Sequence, residues 1–176
     1  MGHEKGQAVH FSGTITQRVD GKGRVSIPAD FRRVLEAGDP DFSPETRRVR
    51  MRVVYGDPTR KCLDIYTISA FEKLMKRVAL LPEGSDEREI LELFFVSGSE
   101  VAEVDADGRT ILAQRLRDHL GMSRDGSEAV FAGALDLFRI WTPEEFEAER
   151  ARKLEAVKSR IAGGSVLKLL PPNPEG

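Results

Sequence analysis

The chain carries one segment twice. Residues 20 to 35 read DGKGRVSIPADFRRVL and residues 105 to 120 read DADGRTILAQRLRDHL. At a constant offset of 85, Asp20 meets Asp105, Gly23 meets Gly108, Arg24 meets Arg109, Ile27 meets Leu112, Phe31 meets Leu116, Arg32 meets Arg117 and Leu35 meets Leu120. Chance rarely keeps register that long, so a duplicated layout is expected. The likeness resumes downstream, where CLDIYTISAFEKL from Cys62 pairs with ALDLFRIWTPEEF from Ala134 at an offset of 72, becoming 73 after one inserted residue. Each half therefore holds the same two modules.

The first module opens on an alternating strand pattern, with Phe11, Gly13, Ile15, Gln17 and Val19 on one face and Ser12, Thr14, Thr16 and Arg18 on the other. A tight turn at Asp20 to Gly23 and a short strand at Arg24 to Ile27 follow. Pro28 then opens a short helix with Phe31, Val34 and Leu35 on one face and Gly38 just past its end. In the second module a strand (Leu63 to Ile68, or Leu135 to Trp141) runs into a helix whose entry reads as a capping box, Ser69 with Glu72 and Thr142 with Glu145. Ser85, Asp86 and Glu87 precede an apolar helical stretch, Ile90, Leu91, Phe94 and Phe95, that is expected to join or underlie both halves. Phe146, Leu154, Val157 and Ile161 continue a long C-terminal helix supported by pairs such as Glu149 with Lys153.

The layout predicted is a flexible head at 1–10, a first half at 11–82, a connecting helix with the second half and C-terminal helix at 83–162, and a flexible tail at 163–176. GDPDFSPETRR, from Gly38 to Arg48, is too rich in proline and turn formers for a regular element and reads as a surface loop.

Lys and Arg number 27 against 29 Asp and Glu, which excludes a protein held to nucleic acid by bulk charge. Basic character is local instead: residues 11–35 hold five basic and two acidic side chains. The Asp and glycines of the turn are explained by hairpin geometry alone, with Asp20 accepting from its own turn amides. Lys22 and Arg24 are not. Together with Arg18, and beside Arg32 and Arg33 on the next helix, they make a compact cationic site suited to phosphates and to an arginine fork on a guanine edge. In the second copy Asp107 replaces Lys22 while Arg109 survives, so the first half is expected to dominate binding.

Other chemistry finds little support. GKG at 21–23 matches neither a phosphate loop nor a dinucleotide fingerprint. The single cysteine, Cys62, reads as a buried small hydrophobe, His119 as structural and Trp141 as a core anchor. His3, His10 and His119 lack the spacing of a zinc site. No metal, cofactor, small-molecule substrate or enzymatic role is expected. No apolar run approaches a membrane span, and the polar start MGHEKGQAVH predicts neither a signal peptide nor a membrane partner, hence a cytoplasmic place.

These residues resemble the MraZ family of bacterial transcriptional regulators. The resemblance rests on the two Asp-x-x-x-Arg hairpins (Asp20 with Arg24, Asp105 with Arg109), on GRVSIP followed by FRR, and on the aromatic-ended strand and capped helix of each half, over about residues 11–150. A single copy would indicate only the wider AbrB-like group. The resemblance implies an α+β fold, a duplicated AbrB-like swapped-hairpin β/α barrel, with two tandem halves in one chain. It further implies a ring-shaped homo-oligomer, nucleoid-associated, on double-stranded DNA at direct repeats in the promoter of its own division and cell-wall gene cluster. Carried over by residue, Arg24 is the DNA contact, supported by Lys22, with Arg109 its counterpart; Asp20, Gly23, Asp105 and Gly108 build the turns. Ala113 departs from the proline usual at that place, and the loop from Gly38 to Lys61 is longer than the pattern needs. A second reading keeps the fold but makes it a protein-interaction or assembly module without DNA binding, motivated by the acidic total and the altered second repeat.

Overall fold

The structure, a computed structural model, describes residues 10–174. Most of the expected head and the end of the expected tail, residues 1–9 and 175–176, lie outside the described residues. The chain forms two compact units, the first running to Pro143 and the second starting at Glu144.

In the first unit the first half contributes β1 (Thr14–Asp20), β2 (Arg24–Ser26), α1 (Ala29–Ala37), β3 (Val49–Val54), β4 (Leu63–Thr67) and α2 (Ile68–Val78). A connector follows, α3 (Asp86–Leu91) running into a π-helical stretch at Glu92–Ser97. The second half repeats the order with β5 (Ser99–Val104), β6 (Arg109–Ile111), α4 (Gln114–Leu120), β7 (Gly126–Ala134) and β8 (Leu137–Trp141), and is followed by α5 (Pro143–Ile161), which from Glu144 onward belongs to the second unit. The mixed α+β class is as the sequence predicts.

Six strands form one antiparallel sheet in the order β1-β7-β8-β4-β3-β5. Each half's hairpin, β3–β4 or β7–β8, stays together, but its outer neighbour is the first strand of the other half. β1 lies on β7 and β5 on β3. β4 and β8 join the halves at the centre, with Leu63 opposite Ile140 and Ile65 opposite Phe138. The short strands β2 and β6 pair only with each other, as a separate antiparallel ribbon.

Alternation on the strands and helical spacing on α1 and α4 direct one set of side chains inward. Phe31, Val34 and Leu35 of α1 and Leu116 and Leu120 of α4 are buried with Val25, Ile27 and Leu112 of the ribbon region. Phe138 is the hub, its ring centroid 5.0 Å from Phe11, 4.9 Å from Phe31 and 5.8 Å from Phe131. Such ring pairs add to the area they bury.

Several expectations are corrected. The helix after β4 is capped by Thr67, whose hydroxyl accepts from the Ala70 amide at 3.0 Å, while Ser69 already lies within the first turn. The strand ends one residue earlier than expected because its pairing runs out at Thr67 opposite Met51. Thr67 therefore matches Thr142, and the second module repeats at an offset of 75. In that register Leu63 falls on Phe138 and Ile65 on Ile140, all four fully buried. Leu135, set against Leu63 by the sequence alignment, is instead a 66% exposed turn residue with φ +65° between β7 and β8.

The stretch after Ser85 joins the halves, one of the two roles expected for it, with Leu91, Phe94 and Phe95 half-buried. Ser85 caps α3, accepting from the Arg88 amide, but Ile90, Leu93 and Val96 are exposed. The first strand starts later than expected, with Phe11 joined by a bridge to Leu135, and Ile15 is exposed on the face that also carries the buried Phe11 and Val19. Gly38 to Arg48 is irregular as expected, whereas the longer loop to Lys61 contains β3. That loop is anchored by Asp39, buried at 6% exposure, which accepts from the Arg50 amide at 2.8 Å and from its guanidinium at 2.6 Å.

In the second unit α5 carries the expected Lys153–Glu149 pair at 3.8 Å, and Glu149 also accepts from Arg152 at 2.9 Å. The expected tail holds a 3-10 turn, Val166–Leu169, whose first residues are capped by Ser165.

Candidate nucleic-acid interface

Each repeat turn is built by its aspartate. Asp20 Oδ1 accepts from the Lys22 and Arg24 amides, both at 2.9 Å, and the Gly23 amide closes the turn on the Asp20 carbonyl at 2.9 Å. Asp105 does the same for the Asp107 and Arg109 amides, and Gly108 closes on the Asp105 carbonyl at 2.9 Å. Gly23 and Gly108 sit at φ +85° and +79°, where a Cβ is strained.

The two turns are locked to one another. The Leu112 amide donates to the Gly23 carbonyl at 2.8 Å and the Ile27 amide to the Gly108 carbonyl at 2.9 Å. Arg117 of α4, 7% exposed, reaches into the first half, where its Nη1 donates to the Gly21 carbonyl at 3.1 Å, while its Nε donates to the Leu112 carbonyl at 3.1 Å. Its repeat partner Arg32 makes the reciprocal crossing, with its guanidinium against Gly108. Each turn is thus backed by an arginine from the other half's helix.

The ribbon has one buried face, Val25 and Thr110, and one exposed face, Arg24 and Ser26 on β2 and Arg109 and Ile111 on β6. Arg24 stands directly opposite Ile111, and Ser26 directly opposite Arg109. Arg18, Asp20, Arg24, Val25, Ser26 and Arg109 line an open groove of about 340 Å³ here. Folding thus gathers three of the sequence-predicted cations, Arg18, Arg24 and Arg109, around one groove. Lys22 sits exposed on the turn that leads into it. Arg32 does not line this groove; it is half-buried behind the second turn.

The two arginines of the ribbon differ in how they are held. Asp20 Oδ2 accepts from Arg24 Nε at 2.7 Å, fixing the guanidinium from one edge and leaving its two terminal nitrogens to a ligand. The hydrogen bond from the Arg24 side chain, helped by its amide and that of Lys22, holds the Asp20 carboxyl below the ordinary aspartate range. Both groups are largely exposed, so the pair adds little to stability; its effect is to restrict the rotamers of Arg24. Arg109 receives no such side-chain bond from Asp105, whose carboxylate takes only the two amides. Around it the second copy is acidic: Asp107 stands in the place of Lys22, and Glu103, which pairs with Arg48 at 2.6 Å, in the place of Arg18.

Sequence reasoning missed the outward Ser26 and Ile111 and the clasp by Arg117. The alternation in GRVSI and GRTIL could have identified the first two. The other reactive-looking side chains lie away from the groove. Burial, with Asp64 nearby, pushes the Cys62 thiol up to about 12, and His119 Nε2 lies 3.1 Å from the Cys62 carbonyl oxygen. Trp141 is 3% exposed with the Arg60 guanidinium 5.6 Å from its ring. Among the described residues no cluster of His, Cys, Asp and Glu could hold a metal ion, and no helix is long and apolar enough to cross a membrane.

The chain matches the family model described as "MraZ protein, putative antitoxin-like" over residues 10–92 and 95–161. It is 42% identical over 164 residues to a protein of Cereibacter sphaeroides named "Transcriptional regulator MraZ", covering 91% of this chain and 95% of that one. Proteins with the same name from Ruegeria sp. (40% identity, 86% of this chain and 88% of that one) and Rhodospirillum rubrum (36%, 87% and 92%) are also similar. With both repeat turns inside the matched segments, the chain belongs to the MraZ family.

Proposed function

We propose that this chain is a transcriptional regulator that binds double-stranded DNA through the β2–β6 ribbon. The observation that carries the reading is the groove where Arg18, Arg24 and Arg109 converge beside a two-stranded ribbon, in a chain whose net charge is −2. A major groove about 12 Å wide admits such a ribbon. Arg24, fixed through Nε by Asp20, presents the fork that pairs with guanine O6 and N7; Lys22 and Arg18 supply phosphate contacts that set the register. Arg109 is the weaker counterpart, flanked by Asp107. Arg32 acts indirectly, by backing the second turn, and Arg117 backs the first.

Within this reading the fold is a duplicated swapped-hairpin β/α barrel. The exchange of β1 and β5 between halves and the mutual locking of the turns support it. The halves at 11–82 and 83–162 are its two tandem repeats. One ribbon gives few phosphate contacts, so binding from several linked copies, a ring on direct promoter repeats, supplies the avidity, about two to four orders of magnitude. The exposed Ile90, Leu93 and Val96 of the connector offer an apolar face for that assembly. The regulated genes are then the division and cell-wall cluster that includes its own, and the protein works in the cytoplasm on the nucleoid.

The test is binding of purified protein to a labelled duplex from upstream of its own gene, across a salt series, with Arg24→Ala alongside. Specific binding that weakens steeply with salt and fails in the variant supports the reading. Absence of salt-dependent binding, with capture of a protein partner instead, moves the function to an assembly module of the same fold.

A further inference from the structure

The outer face of the ribbon holds one side chain that charge does not explain. Ile111 is 64% exposed, lies directly opposite Arg24, and occupies the repeat position that Ser26 fills in the first copy. The matched serine shows that the position accepts a small polar residue. A β-branched apolar side chain left mostly in water there contributes little to the folded monomer.

Its neighbours define what it can meet. Directly opposed residues of an antiparallel pair carry Cβ atoms about 4.5–5.5 Å apart on one face, and bases along a strand are spaced by about 3.4 Å. A base pair reached by Arg24 is therefore within reach of Ile111, or adjacent to one that is. An apolar patch of a partner protein would bury Ile111 only by also desolvating the Arg24 and Arg109 guanidinium groups without giving them acceptors, whereas a DNA groove supplies acceptors for both. On the major-groove edges of DNA the apolar group is the thymine C5 methyl.

We propose that Ile111 is a specificity-determining residue that packs on the C5 methyl of a thymine in a base pair next to the G·C pair whose guanine Arg24 engages. The proposal rests on the DNA reading above. It also makes the ribbon directional: the Arg24–Ile111 end reads a guanine and a methyl, while the symmetry-matched Arg109–Ser26 end has no apolar group to offer. A pseudo-symmetric ribbon thereby recognises a site with one orientation.

The test compares the full-length wild type with Ile111→Ser and Ile111→Val on two duplexes from upstream of the gene, one natural and one with deoxyuridine replacing every thymine of the protected footprint. Removing one buried methyl is expected to weaken wild-type binding about fourfold per contacted thymine. Ile111→Ser should bind the natural duplex with a similar loss and not distinguish the two duplexes, and Ile111→Val should keep most of the discrimination. Position 111 is exposed, and circular dichroism with the assembly state of each variant verifies that the fold is kept. Equal wild-type affinity for both duplexes, or undiminished discrimination by Ile111→Ser, overturns the proposal while leaving the DNA reading intact. Failure of the wild type to bind either duplex overturns both.

Discussion

Gly23 and Gly108 occupy matched places in the two turns, yet alanine should cost more at the first. Both take a left-handed φ, +85° and +79°, so either substitution carries the same backbone strain, about 1–2 kcal/mol. The obstacles differ. A methyl at Gly23 runs into the Leu112 carbonyl oxygen, part of the backbone whose amide donates to Gly23 at 2.8 Å. Relieving it opens the ribbon at a residue only 1% exposed, and the orphaned Leu112 amide costs roughly 1–3 kcal/mol more. At Gly108 the methyl meets the Arg32 guanidinium, the far end of a flexible side chain that can swing away. Gly108→Ala should therefore lose about 1–2 kcal/mol and Gly23→Ala about 2–5 kcal/mol. For a chain of this size the difference is a Tm lower by roughly 2–12 °C in Gly23→Ala. Urea unfolding followed by the buried Trp141 fluorescence reads both losses. Equal losses, or a larger one at Gly108, would refute the assignment of the Leu112 carbonyl as the immovable contact.

Three further outcomes follow from the same geometry. Asp20, held below the ordinary aspartate range by Arg24, binds its proton more weakly folded than unfolded, so its contribution to the turn is present above about pH 3.8 and lost as pH falls through the lowered value; carboxyl NMR should show this titration moving upward in Arg24→Ala. Phe138→Ala empties the site where three other rings meet and should cost about 3–5 kcal/mol in denaturant unfolding; a loss under 1 kcal/mol would mean that the ring cluster is not the core's centre. Cys62, its thiol pushed up to about 12 by burial, should resist alkylation at pH 8 in the native protein and react only on unfolding.

The turns were legible because their signals are local: an aspartate two and four residues before the amides it accepts, with glycine where φ must be positive. The duplication was legible for the same reason. What sequence did not disclose depends on partners far along the chain. β2 and β6 meet across the repeat spacing, and only that meeting sets Arg24 opposite Ile111 and brings Arg109 to the groove of Arg18. Thr67 and Ser69 are both capping residues by type, and the choice between them is made by how far β4 stays paired with β3. Ile90 and Leu93 have helical spacing in either case, but periodicity does not state whether a face is covered within the monomer. Arg32 reads as part of the cationic site, and the role of its repeat partner Arg117 is not legible, because nothing local shows that each helix lies behind the other half's turn.

The central claim, that Arg24 reads a base rather than adding charge, is tested most directly by Arg24→Lys. Lysine keeps the charge but lacks the planar fork, and cannot be held at Nε by Asp20 while offering two parallel donors. The measurement is the ratio of affinities for the upstream duplex and a scrambled duplex of the same length, at several salt concentrations. The account predicts that Arg24→Lys retains the salt slope and the affinity for scrambled DNA but loses specific binding by about 5- to 150-fold, the worth of one bidentate guanine contact. An unchanged ratio in Arg24→Lys would contradict it, leaving the ribbon a purely electrostatic contact.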